Sequence, residues 1–130
     1  MIGLDTNILV RYLTQDDSPQ LRAVMRLLNK TGESFFISHL VMVELHWVLR
    51  SQYHWSRAEI AESLAKLISI HNTVFEDEPA LKSAISAYAR GEDLADWLIR
   101  HRAVKRECSG LASFDSDFQS HHPDFVFQPK

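Results

Sequence analysis

Short apolar runs that end on helix-capping side chains recur along this chain, and each gives way to a longer stretch with helical spacing. That alternation restricts the fold more than any other feature. Ile2-Gly3-Leu4 runs into Asp5-Thr6-Asn7, after which Ile8, Leu9, Val10 and Leu13 recur three and four apart. Phe35-Phe36-Ile37 runs into Ser38, and Thr73-Val74-Phe75 makes a third run. Gly110-Leu111-Ala112-Ser113-Phe114 ends at Asp115, and Phe125-Val126-Phe127 follows Pro123. Runs this short suit strands. Strands alternating with helices predict an α/β fold with a mainly parallel sheet and helices on both faces.

The helices carry their own punctuation. Ser18-Pro19 opens a second helix built on Leu21, Val24, Met25, Leu27 and Leu28. Ser38 caps a third, in which eight of the eleven residues from His39 to Leu49 are apolar, so it is expected to be largely buried. Ser56 with Glu59 three residues on forms a capping box for a fourth. A fifth, on Leu81, Ala84, Ile85 and Tyr88, stops at Gly91, and a sixth runs from Leu94 to Glu107. With 130 residues, 45% of them apolar, and no linker or repeat, residues 1–130 read as a single domain.

Met1 to Asp5 lacks the basic and apolar regions of a secretory signal, and no stretch approaches the roughly 20 apolar residues needed to span a bilayer. A soluble, cytoplasmic protein with no membrane partner is expected. The lone Cys108, near Ala103, Val104 and Leu111, is expected to be a buried, inert thiol. The net charge of −3 argues at first against a nucleic-acid partner, but leaving Asp5, Glu44, Asp96 and Asp115 out of the count turns it to +1. Arg100, Arg102, Lys105 and Arg106 cluster on the sixth helix, where such runs more often form a solvated face.

Those four acids carry the chemistry. Glu44 sits among Leu40, Val41, Trp47 and Val48 at helical spacing, so its face is expected to point inward, where a carboxylate needs a proton, a base or a cation. Asp5 and Asp115 each have an ordinary role as helix caps at strand ends, and Asp96 suits the positive end of the sixth helix behind Asp93. Together, strand ends, helix starts and one helix face would bring the four to one edge of the sheet, where ligands gather in such folds. Converging carboxylates without bases repel unless divalent cations neutralise them, and oxygen ligands in this number suit Mg²⁺ or Mn²⁺. Hydrolysis of a phosphate ester is the reaction class. Phosphate-binding, dinucleotide-binding, zinc-protease and serine-hydrolase motifs are absent, and His121-His122 before Pro123 reads as loop surface.

In that order and placement, Ile2-Gly3-Leu4-Asp5-Thr6-Asn7-Ile8-Leu9, Val43-Glu44-Leu45, Asp93-Leu94-Ala95-Asp96-Trp97-Leu98-Ile99 and Ser113-Phe114-Asp115-Ser116-Asp117-Phe118 resemble the PIN domain, in particular the VapC-type toxins of bacterial toxin–antitoxin pairs. The resemblance implies a three-layer α/β/α sandwich whose five strands lie in the order 3-2-1-4-5. It implies a metal-dependent ribonuclease with Asp5, Glu44, Asp96 and Asp115 as ligands and Asp93 and Asp117 as assisting acids. Thr6 and Ser113 would orient the cluster, and Asn7 would hold the strand-to-helix turn. Implied partners are RNA, often tRNA, a second copy of the chain, and a co-encoded antitoxin. Apolar residues on the first two helices, Leu13, Leu21, Met25 and Leu28, offer a surface for that dimer.

Two positions depart from the family pattern. Trp97 stands where a small residue is usual and would narrow the groove or stack a base, and Ser113 replaces the commoner Thr with its hydroxyl kept. Two rivals use the same residues: a metal-dependent phosphatase of small phosphate esters, and a catalytically inert PIN-like module that binds RNA or protein. The first lacks an Asp-x-Asp motif after the first strand, and the second has no use for a self-repelling acidic cluster.

Overall fold

A computed structural model describes residues 1–130 and shows strands handing the chain to helices through capping side chains. β1 (Ile2–Gly3) leads to α1 (Thr6–Thr14) and α2 (Pro19–Leu28), and β2 (Phe35–Ile37) to α3 (His39–Ser51) and α4 (Arg57–Ile68). β3 (Thr73–Phe75) leads to α5 (Glu78–Ala89) and α6 (Leu94–Lys105), and β4 (Leu111–Ala112) to α7 (Ser116–His121) before β5 (Val126–Phe127). Ser18, Ser38, Ser56 and Asp77 accept backbone N–H bonds at the starts of α2, α3, α4 and α5, and both halves of the Ser56–Glu59 capping box are present. Gly91 follows α5 at φ 109°, a conformation that side chains with a Cβ rarely adopt, and its N–H returns to the Tyr88 carbonyl.

All strand pairs are parallel. Ile2 lies opposite Phe35, Phe35 opposite Thr73 and Ile37 opposite Phe75. The expected five-stranded sheet is not continuous: β3-β2-β1 form one sheet, and β4 pairs with β5 in a second. Strand length explains the break. At two residues each, β1 and β4 offer few ladder groups, and Asp5 and Asp115 end them with like charges.

A core of 20 buried residues joins the three-stranded sheet to α1 and α3–α6, with Phe35, Ile37, Leu45, Leu64 and Leu81 fully enclosed. Phe118 and Val126 are buried beneath the second sheet but lie outside that cluster. No helix is long and apolar enough to cross a membrane.

Three expectations about burial need correction. α3 buries one face only, leaving Leu40 74% and Trp47 53% exposed, and Glu44 is exposed between them. Its eight apolar residues are more than that face can cover, because Met42, Leu45 and Leu49 already fill it. On the first two helices Leu21 is buried, and Leu13, Met25 and Leu28 are half-buried, with Leu13 and Leu28 packed against the core, so the apolar surface there is smaller than expected. Cys108 is exposed, because α6 ends before it and the turn through Glu107, at φ 61°, carries it away from its apolar neighbours.

Arg57 links the core to the segment that starts α6. One guanidinium nitrogen donates to the Tyr88 carbonyl at 2.9 Å and the Glu92 carbonyl at 2.8 Å, and the guanidinium lies 4.3 Å above the Tyr88 ring. The turn that delivers Asp93 and Asp96 is therefore fastened to α4. Arg57→Ala should destabilise the protein by about 2 kcal/mol, with Arg57→Lys recovering only part, since an ammonium lacks the planar fork. Denaturant unfolding of both variants measures this, and a loss below ~0.5 kcal/mol would show that the clamp is idle.

Candidate active site

Three of the carboxylates are caps first. Asp5 Oδ1 accepts the Thr6 N–H at 2.8 Å, Asp93 Oδ1 the Asp96 N–H at 2.8 Å, and Asp115 Oδ1 the N–H groups of Asp117 and Phe118 at 2.9 and 3.1 Å. Each uses only Oδ1. The cap fixes the side chain and leaves the second oxygen open, so capping and ligation are compatible roles. Ser113 supports this at the C-terminal end, where its hydroxyl accepts the Asp115 N–H at 3.0 Å and its carbonyl accepts the Gln119 amide at 2.8 Å.

None of Asp5, Glu44, Asp93, Asp96, Asp115 or Asp117 enters an ion pair, whereas Glu33, Glu76, Asp77 and Glu92 elsewhere all do. The consequence is clearest at Asp96, on the first turn of α6. Partial burial, then the charges of Asp93 and Asp115, raise its pKa to about 6, and His121 only partly offsets them. Asp93, Asp96 and Asp115 thus share one electrostatic environment. The convergence expected of all four acids is looser than a preformed site, since no three His, Cys, Asp or Glu side chains stand close enough to hold one cation. Glu44 reaches solvent from α3, so its candidacy no longer rests on burial.

The supporting residues divide. Thr6 is buried and its hydroxyl has no partner, leaving it free for an orienting contact. Asn7 is exposed and its side chain makes no hydrogen bond; Asp5 holds the turn assigned to it. Asp117 is exposed in the first turn of α7. Trp97 is half-buried against the core and stacks on His101 at 5.6 Å and 14°, so its ring already has an aromatic partner. His122, expected on a loop surface, is half-buried with Nε2 3.1 Å from Glu92, and burial lowers its pKa. A residue not singled out from sequence, Phe114, is 76% exposed immediately before Asp115. Its signal was available: an aromatic residue at the end of a strand, next to a capping acid.

Asp96 gives a test of sign. Its folded pKa of about 6 lies above the ordinary 3.8, so the fold disfavours the charged form. The cost is full above the folded value and disappears as pH falls toward the unfolded one. In chelator, Asp96→Asn should raise stability by about 1 kcal/mol near pH 7.5, a figure reduced for solvent access, and the gain should shrink toward zero near pH 4. If Asp96 matters chiefly as a favourable charge at the start of α6, thermal melts would instead show a loss at the higher pH.

Comparison with known proteins bears on the family. No solved structure matches the chain. A curated relative, the VapC ribonuclease of Aquifex aeolicus (strain VF5), is 25% identical over 119 residues, covering 89% of this chain and 88% of the relative. Residues 2–122 match the PIN domain, which takes in every element from β1 to α7, and the chain therefore belongs to the PIN domain family.

Proposed function

We propose that this chain, acting as one domain, is a metal-dependent endoribonuclease and the toxin of a toxin–antitoxin pair working in the cytoplasm. The observation that carries this reading is the group of carboxylates without basic partners at the strand ends and on α3 and α6 of a PIN-domain chain similar to a VapC ribonuclease. The donor chemistry fits a hard divalent cation, because open carboxylate oxygens and the uncompensated charge around Asp96 both call for one. Asp5, Glu44, Asp96 and Asp115 would hold Mg²⁺ or Mn²⁺, which when bound supplies positive charge toward a phosphodiester and acidity for the attacking water. In the hydrolysis the water oxygen bonds to phosphorus and the phosphorus–oxygen bond to the departing ribose breaks.

The remaining work falls to the chain. Ser113 and the Asp115 cap hold the loop at the end of β4, and Asp93 fixes the first turn of α6. Phe114 offers a face on which an unpaired base can stack, which favours single-stranded segments of RNA, tRNA loops among them. The antitoxin partner rests on the likeness to VapC. A homodimer belongs to the same reading, and the half-buried Leu13, Met25 and Leu28 of α1 and α2 are its candidate surface.

Purified protein should cut RNA with Mn²⁺ and stop in chelator, while Glu44→Gln should lower the rate about a hundredfold or more. Because Glu44 is exposed and unpaired, the same variant should keep stability within about 0.5 kcal/mol. A variant that still cuts RNA at the wild-type rate would remove Glu44 from the site, and turnover of a simple phosphate monoester in place of RNA would favour a phosphatase. Light scattering should give twice the 15.0 kDa chain mass, reduced to one chain by Met25→Glu. A monomeric wild type would dismiss the dimer.

A further inference from the structure

A polar pocket of about 300 Å³ lies apart from the acidic cluster, lined by His39, Glu76, Asp77, His101, Arg102, Lys105 and Arg106 with no apolar side chain. Its two acids are already satisfied. Glu76 receives the His39 backbone N–H at 2.7 Å on one oxygen and Arg102 at 2.8 Å on the other. Burial opposes its ionisation, but these two contacts outweigh it and hold the carboxyl below its ordinary pKa. Asp77 caps α5 through the Ala80 N–H and places its second oxygen 3.0 Å from His101 Nε2. Lys105 and Arg106 remain, and neither enters an ion pair.

A helix C-terminus favours Lys105 and Arg106 whatever lies beside it. No such explanation covers His39. Its side chain is only 6% exposed, it forms part of the pocket wall, and neither ring nitrogen has a hydrogen-bond partner. Leaving a buried polar group unpaired costs about 1–3 kcal/mol, which an acceptor entering the pocket would offset. Several donors around one small space suit an anion with several oxygens better than one with two.

The structure assigns this pocket to a phosphate group, bound by the His39 imidazole N–H together with Lys105 and Arg106. It is separate from the nuclease site, because Lys105 follows Asp96 by about two and a half turns of α6 and so faces the opposite side of that helix. The assignment therefore stands whether or not the chain cuts RNA. Two sources share this chemistry, a free phosphate or phosphomonoester and the backbone of an RNA strand.

The full chain in chelator would be titrated with inorganic phosphate and, separately, with a short oligouridylate. The ring resonances of His39, assigned through His39→Phe, are followed by NMR, and that replacement keeps the volume while removing the unpaired nitrogens. His39 and His101 signals should shift and saturate. Lys105→Ala with Arg106→Ala, both exposed, should weaken binding about tenfold, whereas Lys82→Ala, an exposed lysine on α5, should not. Saturation by phosphate alone identifies the free ligand as the source. A response confined to oligouridylate, with a salt slope lowered by about 0.7 per cation removed, identifies RNA backbone. The assignment is overturned if neither probe moves His39, if the double variant binds like the wild type, or if an acidic peptide shifts His39 as strongly as oligouridylate. RNA cleavage by the same variants is scored separately, so failure of the nuclease reading leaves the NMR result intact.

Discussion

The first backbone N–H groups of a helix have no partner within it, and in a parallel α/β fold they crowd the edge where the strands end. In this chain four helix starts are capped by aspartates, Asp5, Asp77, Asp93 and Asp115, each through a single oxygen, and among them only Asp77 turns its other oxygen to a basic partner, His101. The requirement to cap a helix thus fixes where negative charge must sit, and the unused oxygens make that charge available. Glu44 and Asp96 are the exceptions, one on the side of α3 and the other in the first turn of α6, neither with a capping duty. Local folding and chemistry draw on the two oxygens of one carboxylate at Asp5 and at Asp115, so an amide at either keeps the hydrogen-bond acceptor while changing the charge.

Electrostatic economy elsewhere in the molecule sharpens this contrast. Glu76, Asp77 and Glu92 each meet a basic partner, and hydrogen bonds hold Glu76 and Asp77 readily ionised. Around Asp96 the balance is reversed, with burial and two neighbouring aspartates opposing ionisation against one histidine. A fold able to pair its acids leaves this group unpaired, which separates it from ordinary surface charge more firmly than its position does.

Much of this was legible in the sequence because it is local. Capping depends on a few successive residues, so Asp5, Ser18, Ser38, the Ser56–Glu59 box, Asp93 and Asp115 could all be read from the letters. Strands β2 and β3 were legible from their apolar, branched and aromatic runs. What failed depends on distant partners. Whether Leu40 and Trp47 are covered depends on what α6 brings to α3, and whether β1 and β4 join depends on a ladder between segments a hundred residues apart. Helical spacing gave Glu44 apolar neighbours correctly, but could not tell that two of them, Leu40 and Trp47, themselves face outward.

The gap between the two sheets also divides the molecule in stability. β4, α7 and β5 exchange backbone hydrogen bonds among themselves, and no ladder ties them to the three-stranded sheet. Their attachment relies on side chains, chiefly His122 against Glu92 and Arg100 over the Phe125 ring. A segment fastened in this way would open as a cooperative unit of its own, at a lower free energy than the core, with its amides exchanging with solvent before those of β2. Asp115 rides on that segment while Asp5 and Asp96 belong to the slower-opening body, so one quarter of the acidic cluster can leave and return without unfolding the remainder.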